Sequence, residues 1–360
     1  MLDGNNIQVG AGRYTQCHGA LKQIGQEVSF CGKTAYIVTD STVWNKTGHI
    51  VKESMEKSGV RFTVDEFEGP STQKSFEWIA KRLRDTGSEV VVGLGGGKVI
   101  DIAKGAGNLT DRKIITAPTS AATCAAYAVL YVTYGEDGSV ACSQFLTHEI
   151  SAVLVDLDFV ADNCPTRYLA SGIADAMAKK PEFYFTMLNL GAEGMTATSE
   201  VATGIADYTY KNYMQKALQA IEDAKNKVDS VWLDDVICMN IMLTGMVSDL
   251  STGGKQLAIA HNFYDAVCCL HKEARRNFLH GEIVGLAIPL QMAVNGSPQK
   301  EIDEAKSLLA AMGIPARIGQ LGIDCTTETV RELIDYTHRK TISEDKVLYE
   351  KIKECMKVIM

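Results

Sequence analysis

The sequence predicts an α/β domain followed by an all-helical domain. Short β-branched runs alternate with helical stretches up to about residue 160. Beyond Asn163-Cys164-Pro165-Thr166-Arg167 the strand signals stop and long amphipathic helices take over. One apolar strand runs straight into three consecutive glycines and then a helix, the strand–turn–helix order of a parallel sheet with helical crossovers. A chain of 360 residues suits two ordinary domains of roughly 100–200 residues each. The boundary is placed between 164 and 165, giving domains 1–164 and 165–360.

In the first domain, residues 34–39 (TAYIVT) read as a buried strand, 41–58 as a helix and 61–64 as a short strand. Residues 71–84 read as a helix with Ser71 as its N-cap. Residues 89–94 (EVVVGL) form the strand before the glycines, and a helix starts at Lys98. Two further short strands fall at 113–116 and 152–155. Residues 128–134 and 139–145 flank Gly135-Glu136-Asp137-Gly138, a hairpin signal. In the second domain helices are expected at 168–177, 228–250, 257–271, 281–294 and 300–312.

Composition excludes several classes. Hydrophobic residues are 46% and charged residues 22%, ordinary globular usage, with no disordered or collagen-like tract. The net charge of −8 offers no basic field to nucleic acid or to an anionic membrane. The apolar run 283–294 is too short to cross a bilayer and contains Gln291. MLDGNNIQVG lacks the basic and apolar regions of an export signal. Ten cysteines without a CxxC predict reduced thiols, hence a cytoplasmic protein with no four-thiolate zinc site.

The glycine run is the first chemical motif. Gly95, Gly96 and Gly97 close a strand and open a helix. Glycine has no Cβ, so phosphate can lie on the backbone, and a helix start offers free N–H groups and partial positive charge. Together they predict a pyrophosphate site. Asp40 ends TAYIVT, where a carboxylate accepts both hydroxyls of an adenosine ribose and repels a 2′-phosphate, favouring NAD over NADP. The same residue is placed to cap the helix starting at Ser41.

Gly95-Gly96-Gly97-Lys98-x-x-Asp101-x-Ala103-Lys104 resembles the GGGKxxDxAK motif of the glycerol dehydrogenase branch of the iron-containing (type III) alcohol dehydrogenases. The likeness continues through residues 118–123 (PTSAAT), 172–179 (GIADAMAK), Ala260-His261 and Leu279-His280-Gly281-Glu282, spanning roughly residues 35 to 290. It implies a Rossmann-like dinucleotide domain, an all-helical domain and a divalent metal, zinc or iron(II), held by Asp175, His261 and His280. It implies dinucleotide contacts from Gly95, Gly96, Gly97, Lys98, Asp101, Thr116, Thr119, Ala128, Leu130 and Tyr134, and assembly into a homo-oligomer. Two imidazoles and a carboxylate leave one position open on a tetrahedral ion, the arrangement of a catalytic zinc. Singly, each residue has a plainer reading. His261 shares a helix face with Leu257, Tyr264 and Cys268, His280 precedes a helix, and Asp175 falls in a first helical turn after Ser171. His271, between the two proposed ligands, reads as part of a solvated face.

The chain departs from the glycerol dehydrogenases at Cys124, where that branch carries an aspartate toward the polyol. Residues 122–126 (ATCAA) instead resemble the hydroxycarboxylate dehydrogenase subgroup, which implies a small 2-oxo or 2-hydroxy acid as substrate. Pro181 is expected to break or bend its helix. Three other readings compete: a polyol dehydrogenase, a lyase of the dehydroquinate-synthase type, and a non-catalytic dinucleotide-binding protein. The lyase needs basic residues to hold a phosphorylated sugar, and residues 120–127 (SAATCAAY) contain none.

Overall fold

The computed structural model describes residues 8–136, 138–191, 195–251, 257–342 and 344–360. They divide into two compact units, one of Gln8–Pro165 and one beginning at Thr166.

The first unit holds β1 (Tyr14–Cys17), β2 (Thr34–Thr39), β3 (Arg61–Glu66), β4 (Val90–Gly95), β5 (Lys113–Pro118) and β8 (Ile150–Asp156) in one sheet, ordered β1-β8-β5-β4-β2-β3. Every pairing in it is parallel. Ile37, Val90, Val92, Ile115 and Leu154 are fully buried, each worth roughly 1.5–3 kcal/mol of burial. A sheet covered on both faces selects continuous apolar runs, which is why its central strands are readable. The crossovers include α1 (Ile24–Cys31), α2 (Ser41–Lys57), α3 (Gln73–Thr86) and α4 (Gly97–Thr110), and α5 (Leu157–Asn163) follows β8. β6 (Leu130–Tyr134) and β7 (Val140–Phe145) form the expected antiparallel hairpin; Asp137 of its turn lies outside the described residues.

Two details differ from the sequence reading. The N-cap of α3 is Thr72, whose Oγ1 accepts from the Ser75 N–H at 3.3 Å, while Ser71 Oγ donates to the Val132 carbonyl. β1 and α1 were not anticipated, because YTQC is short and polar and lies at the sheet edge.

The second unit contains α6 (Thr166–Leu190), α7 (Ala197–Asn226), α8 (Val231–Cys238), α9 (Thr244–Leu250), α10 (Ile259–Leu270), α11 (Lys272–Asn277), α12 (His280–Asn295), α13 (Gln299–Ala311), α14 (Thr327–Ile342) and α15 (Lys346–Cys355). A π segment, Met239–Leu243, joins α8 to α9. The resulting helix, Val231–Leu250, is long and apolar enough to cross a membrane, but half of its apolar window is buried inside the unit, as in a core helix. Pro181 does not break α6, which runs through it. The Pro181 carbonyl accepts from Asn295 Nδ2 at 2.7 Å, so α12 supports α6 at the proline.

Candidate active site

Three helices of the second unit build the site. Asp175 lies on α6, His261 in the first turn of α10 and His280 at the start of α12. Small residues let α6 and α12 approach closely. A Cβ on Gly281 would lie 1.8 Å from the Ser171 carbonyl oxygen, and one on Gly285 would lie 2.8 Å from Ala174 Cβ. Ser171 Oγ accepts from the Gly281 N–H at 3.1 Å, fixing the residue next to His280. Glu282 accepts a two-point clamp from Arg167, at 2.6 and 2.7 Å, and also accepts the Leu279 N–H. The buried Gln291 of α12 accepts the Ile259 N–H at 2.7 Å and so docks the start of α10, which lacks a side-chain cap.

Asp175 Oδ1 lies 3.1 Å from His261 Nε2 and 3.2 Å from His280 Nε2. One ligand atom from each residue falls within 4.8 Å of the others. Donors bonded at about 2.0–2.1 Å to a tetrahedral zinc stand about 3.4 Å apart, close to the two separations from Asp175. Glu182, fully buried and one helical turn below Lys179, takes the other face of His261. Its oxygens lie 2.7 and 2.9 Å from Nδ1 and it also accepts the His261 backbone N–H. Nδ1–H therefore donates to Glu182, and Nε2 is left facing Asp175, the orientation a metal needs. The His280 ring meets Tyr264 edge to face at 4.2 Å.

Burial opposes charge on Asp175, but the His280 charge and hydrogen bonds from both histidines hold its carboxyl well below the usual range. Burial is the largest single influence on His261 and opposes its charge, and Lys179 adds to that, but the Glu182 charge together with the hydrogen bonds to Asp175 and Glu182 outweighs them and pushes the imidazole up to about 9. The pocket thus favours positive charge among its carboxylates, which suits a divalent cation. Glu182→Gln keeps an acceptor but removes charge, and is expected to weaken zinc binding about 10–100-fold in a calorimetric titration of chelator-treated protein. Unchanged affinity would mean that Glu182 only packs against the ring.

In the first unit, α4 begins at the glycine run. Gly96 is its N-cap, with no capping side chain, and the first intrahelical bond runs from Ile100 N–H to the Gly96 carbonyl. A Cβ on Gly96 would meet nothing within 4 Å, so the helix start lies open to an anion. The glycines divide their roles. A Cβ on Gly95 would sit 2.9 Å from Val99 Cβ, so Gly95 serves strand–helix packing. Gly97 stands beside Thr123 and Ala125. Asp40 caps α2, its Oδ1 accepting from the Val43 N–H at 2.9 Å.

Two residues expected on the dinucleotide are directed inward. Asp101, buried, lies 3.6 Å from Lys104 Nζ; burial raises its carboxyl to about 6 against the opposing Lys104 charge. Lys104, also buried, donates to the carbonyls of Ala125 (2.6 Å), Ala128 (3.0 Å) and Leu130. Thr116 Oγ1 donates to the Ala126 carbonyl at 2.8 Å. Lys104 and Thr116 therefore hold the 124–130 segment, with Cys124 in it, from behind, and Asp101 lies beside Lys104. Ala128 is itself buried, while Lys98 is exposed and Thr119, Leu130 and Tyr134 are half-buried. Asp175 lies in the interior of α6, which starts at Thr166, and not in a first turn. His271 ends α10 and is half-buried, where burial lowers its imidazole pKa, so it is not a solvated face. The sequence reading missed Glu182, Gln291 and the Arg167–Glu282 clamp; their only signal was polar residues inside apolar helices.

Residues 11–158 match the model of the iron-containing alcohol dehydrogenase family. The chain is 29% identical to a glycerol dehydrogenase of Thermotoga maritima over 316 residues, 87% of this chain and 84% of that one. It is 27% identical to hydroxycarboxylate dehydrogenase A of Escherichia coli over 276 residues, 76% and 74% of the two chains. Its fold superposes on the crystal structure of glycerol dehydrogenase from Schizosaccharomyces pombe with a TM-score of 0.86 and 23% identity, covering 98% and 91% of the two chains. The domain match over residues 11–158, the near-full-length relatives named as dehydrogenases and the shared fold make the chain similar to the oxidoreductases of the iron-containing alcohol dehydrogenase family.

Proposed function

We propose that this chain transfers hydride between NAD and the alcohol or carbonyl group of a small substrate, using a divalent metal held by Asp175, His261 and His280. The convergence of those three donors, drawn from three helices onto 3.1 and 3.2 Å spacings, carries the proposal. Asp175, His261 and His280 would hold a cation able to polarise a substrate oxygen, and NAD would supply or accept the hydride. Asp175 and the two imidazoles hold the cation, and Glu182 fixes the face that His261 presents. The open start of α4 receives the pyrophosphate and Asp40 receives the ribose hydroxyls. Zinc suits one carboxylate and two imidazoles, and iron(II) accepts the same set.

The substrate class proposed is a small 2-oxo or 2-hydroxy acid. Cys124 offers a polyol hydroxyl only a weak partner, where a carboxylate acceptor would contribute about 1.5–3 kcal/mol. It also places no negative charge in the way of an anionic substrate. Polyol oxidation is the second reading, favoured by relatives named glycerol dehydrogenase in Thermotoga maritima and Pseudomonas putida. A panel of 2-oxobutyrate, 2-oxoglutarate, dihydroxyacetone and glycerol, followed by nicotinamide absorbance at 340 nm, separates them. The expected result is kcat/KM at least about tenfold higher for an oxo acid than for glycerol. A clear preference for glycerol would overturn the oxo-acid assignment and leave the metal and NAD assignments standing.

A further inference from the structure

The chain leaving β3 is tied back to β2, because the Phe67 N–H donates to the Thr39 carbonyl at 2.8 Å. That contact delivers Glu68 to the start of α2, beside Asp40. Glu68 Oε1 accepts both the Ser41 N–H, at 3.2 Å, and Ser41 Oγ, at 2.9 Å. Asp40 Oδ1 meanwhile accepts the Val43 N–H at 2.9 Å. Two carboxylates from different strand ends thus occupy the first turn of a 17-residue helix, whose N–H groups would otherwise attract phosphate. Hydrogen bonds from Ser41, with Lys98 across from it, hold the Glu68 carboxyl below its usual range. Lys98, next to the glycine run and exposed, is near enough for its charge to act weakly on Glu68.

We infer that Glu68 is a cofactor-specificity residue: it occupies and charges the place where a 2′-phosphate would bind, and so enforces use of the unphosphorylated dinucleotide. The inference rests on the dinucleotide reading above. A phosphate brought beside Glu68 would meet an acceptor with no proton to share, a second carboxylate at Asp40 and an α2 N-terminus already in use. A ribose carrying free hydroxyls meets acceptors suited to it.

Calorimetric titration of the whole protein with ADP-ribose and with 2′-phospho-ADP-ribose tests this without relying on turnover. Glu68→Gln keeps an oxygen to cap Ser41 and removes the charge. The expected result is a shift of at least about tenfold in the ratio of the two affinities toward the phosphorylated ligand, and a smaller shift at high salt. A residue that merely capped α2 would change the thermal midpoint and leave that ratio and its salt dependence alone. An unmoved ratio, with ADP-ribose still bound, overturns the Glu68 assignment only. Failure of the unaltered protein to bind either ligand overturns the dinucleotide reading beneath it.

Discussion

Replacing His261 by alanine is expected to abolish metal retention and lower turnover by at least about a thousandfold, while ADP-ribose affinity stays within about threefold. The reason is the division of labour between the units. His261 lies in the helical unit with Asp175 and Glu182, whereas the glycine run and Asp40 lie in the sheet unit. The substitution removes one of three donors and also leaves Glu182 without its imidazole partner in a buried place. Some stability should therefore be lost as well, and a thermal midpoint is measured beside activity. His280→Ala provides the control, since His280 has no contact with Glu182 among the described hydrogen bonds, yet its replacement should cost the same metal. Turnover undiminished in either variant after chelation and dialysis would contradict the metal's role.

Replacing Lys104 by methionine is expected to destabilise the first unit by about 3–5 kcal/mol, the range for breaking a buried charged network by removing one partner. Lys104 is wholly buried, donates to three carbonyls and lies beside a buried Asp101. Methionine fills much of the same volume, so loss of packing does not explain a cost of that size. The carbonyls of Ala125, Ala128 and Leu130 would be left without the ammonium that gathers them, and Asp101 would take up a proton at neutral pH. Because two of these carbonyls belong to Ala128 and Leu130, which are expected on the dinucleotide, its affinity should fall together with stability. Chemical denaturation read against ADP-ribose titration checks both. A loss under about 1 kcal/mol would mean that water or relaxation substitutes for the ammonium.

How much of this could be read beforehand follows physical lines. The strands at 34–39 and 89–94 were legible because a sheet buried on both faces demands continuous apolar runs. Asp175, His261 and His280 were legible only jointly, through their order with the glycine run. Glu182, Gln291 and Glu282 were not, because their partners lie 79, 32 and 115 positions away and are chosen by helix packing. Glu68 escaped for a similar reason, since its place is set by the pairing of β3 with β2 and not by local pattern. The 30-residue helix α7 was missed because its buried face mixes four alanines (Ala202, Ala206, Ala217 and Ala220) with the polar Ser199, Thr209 and Asp223, leaving little hydrophobic contrast. Asp101 and Thr116, which the resemblance places on the cofactor, are buried: Asp101 beside Lys104, and Thr116 with its hydroxyl on the Ala126 carbonyl, contacts set by packing and not by local pattern.

Zinc titration of chelator-treated protein tests the central claim most directly. One ion per chain should bind. Affinity should rise about tenfold per pH unit between 6.5, the ordinary imidazole value, and the His261 value of about 9, because Nε2 must release its proton to accept the ion. Above that range the rise should stop. A chain that takes up no ion, or binds it equally well with Asp175, His261 and His280 each replaced by alanine, would contradict the account.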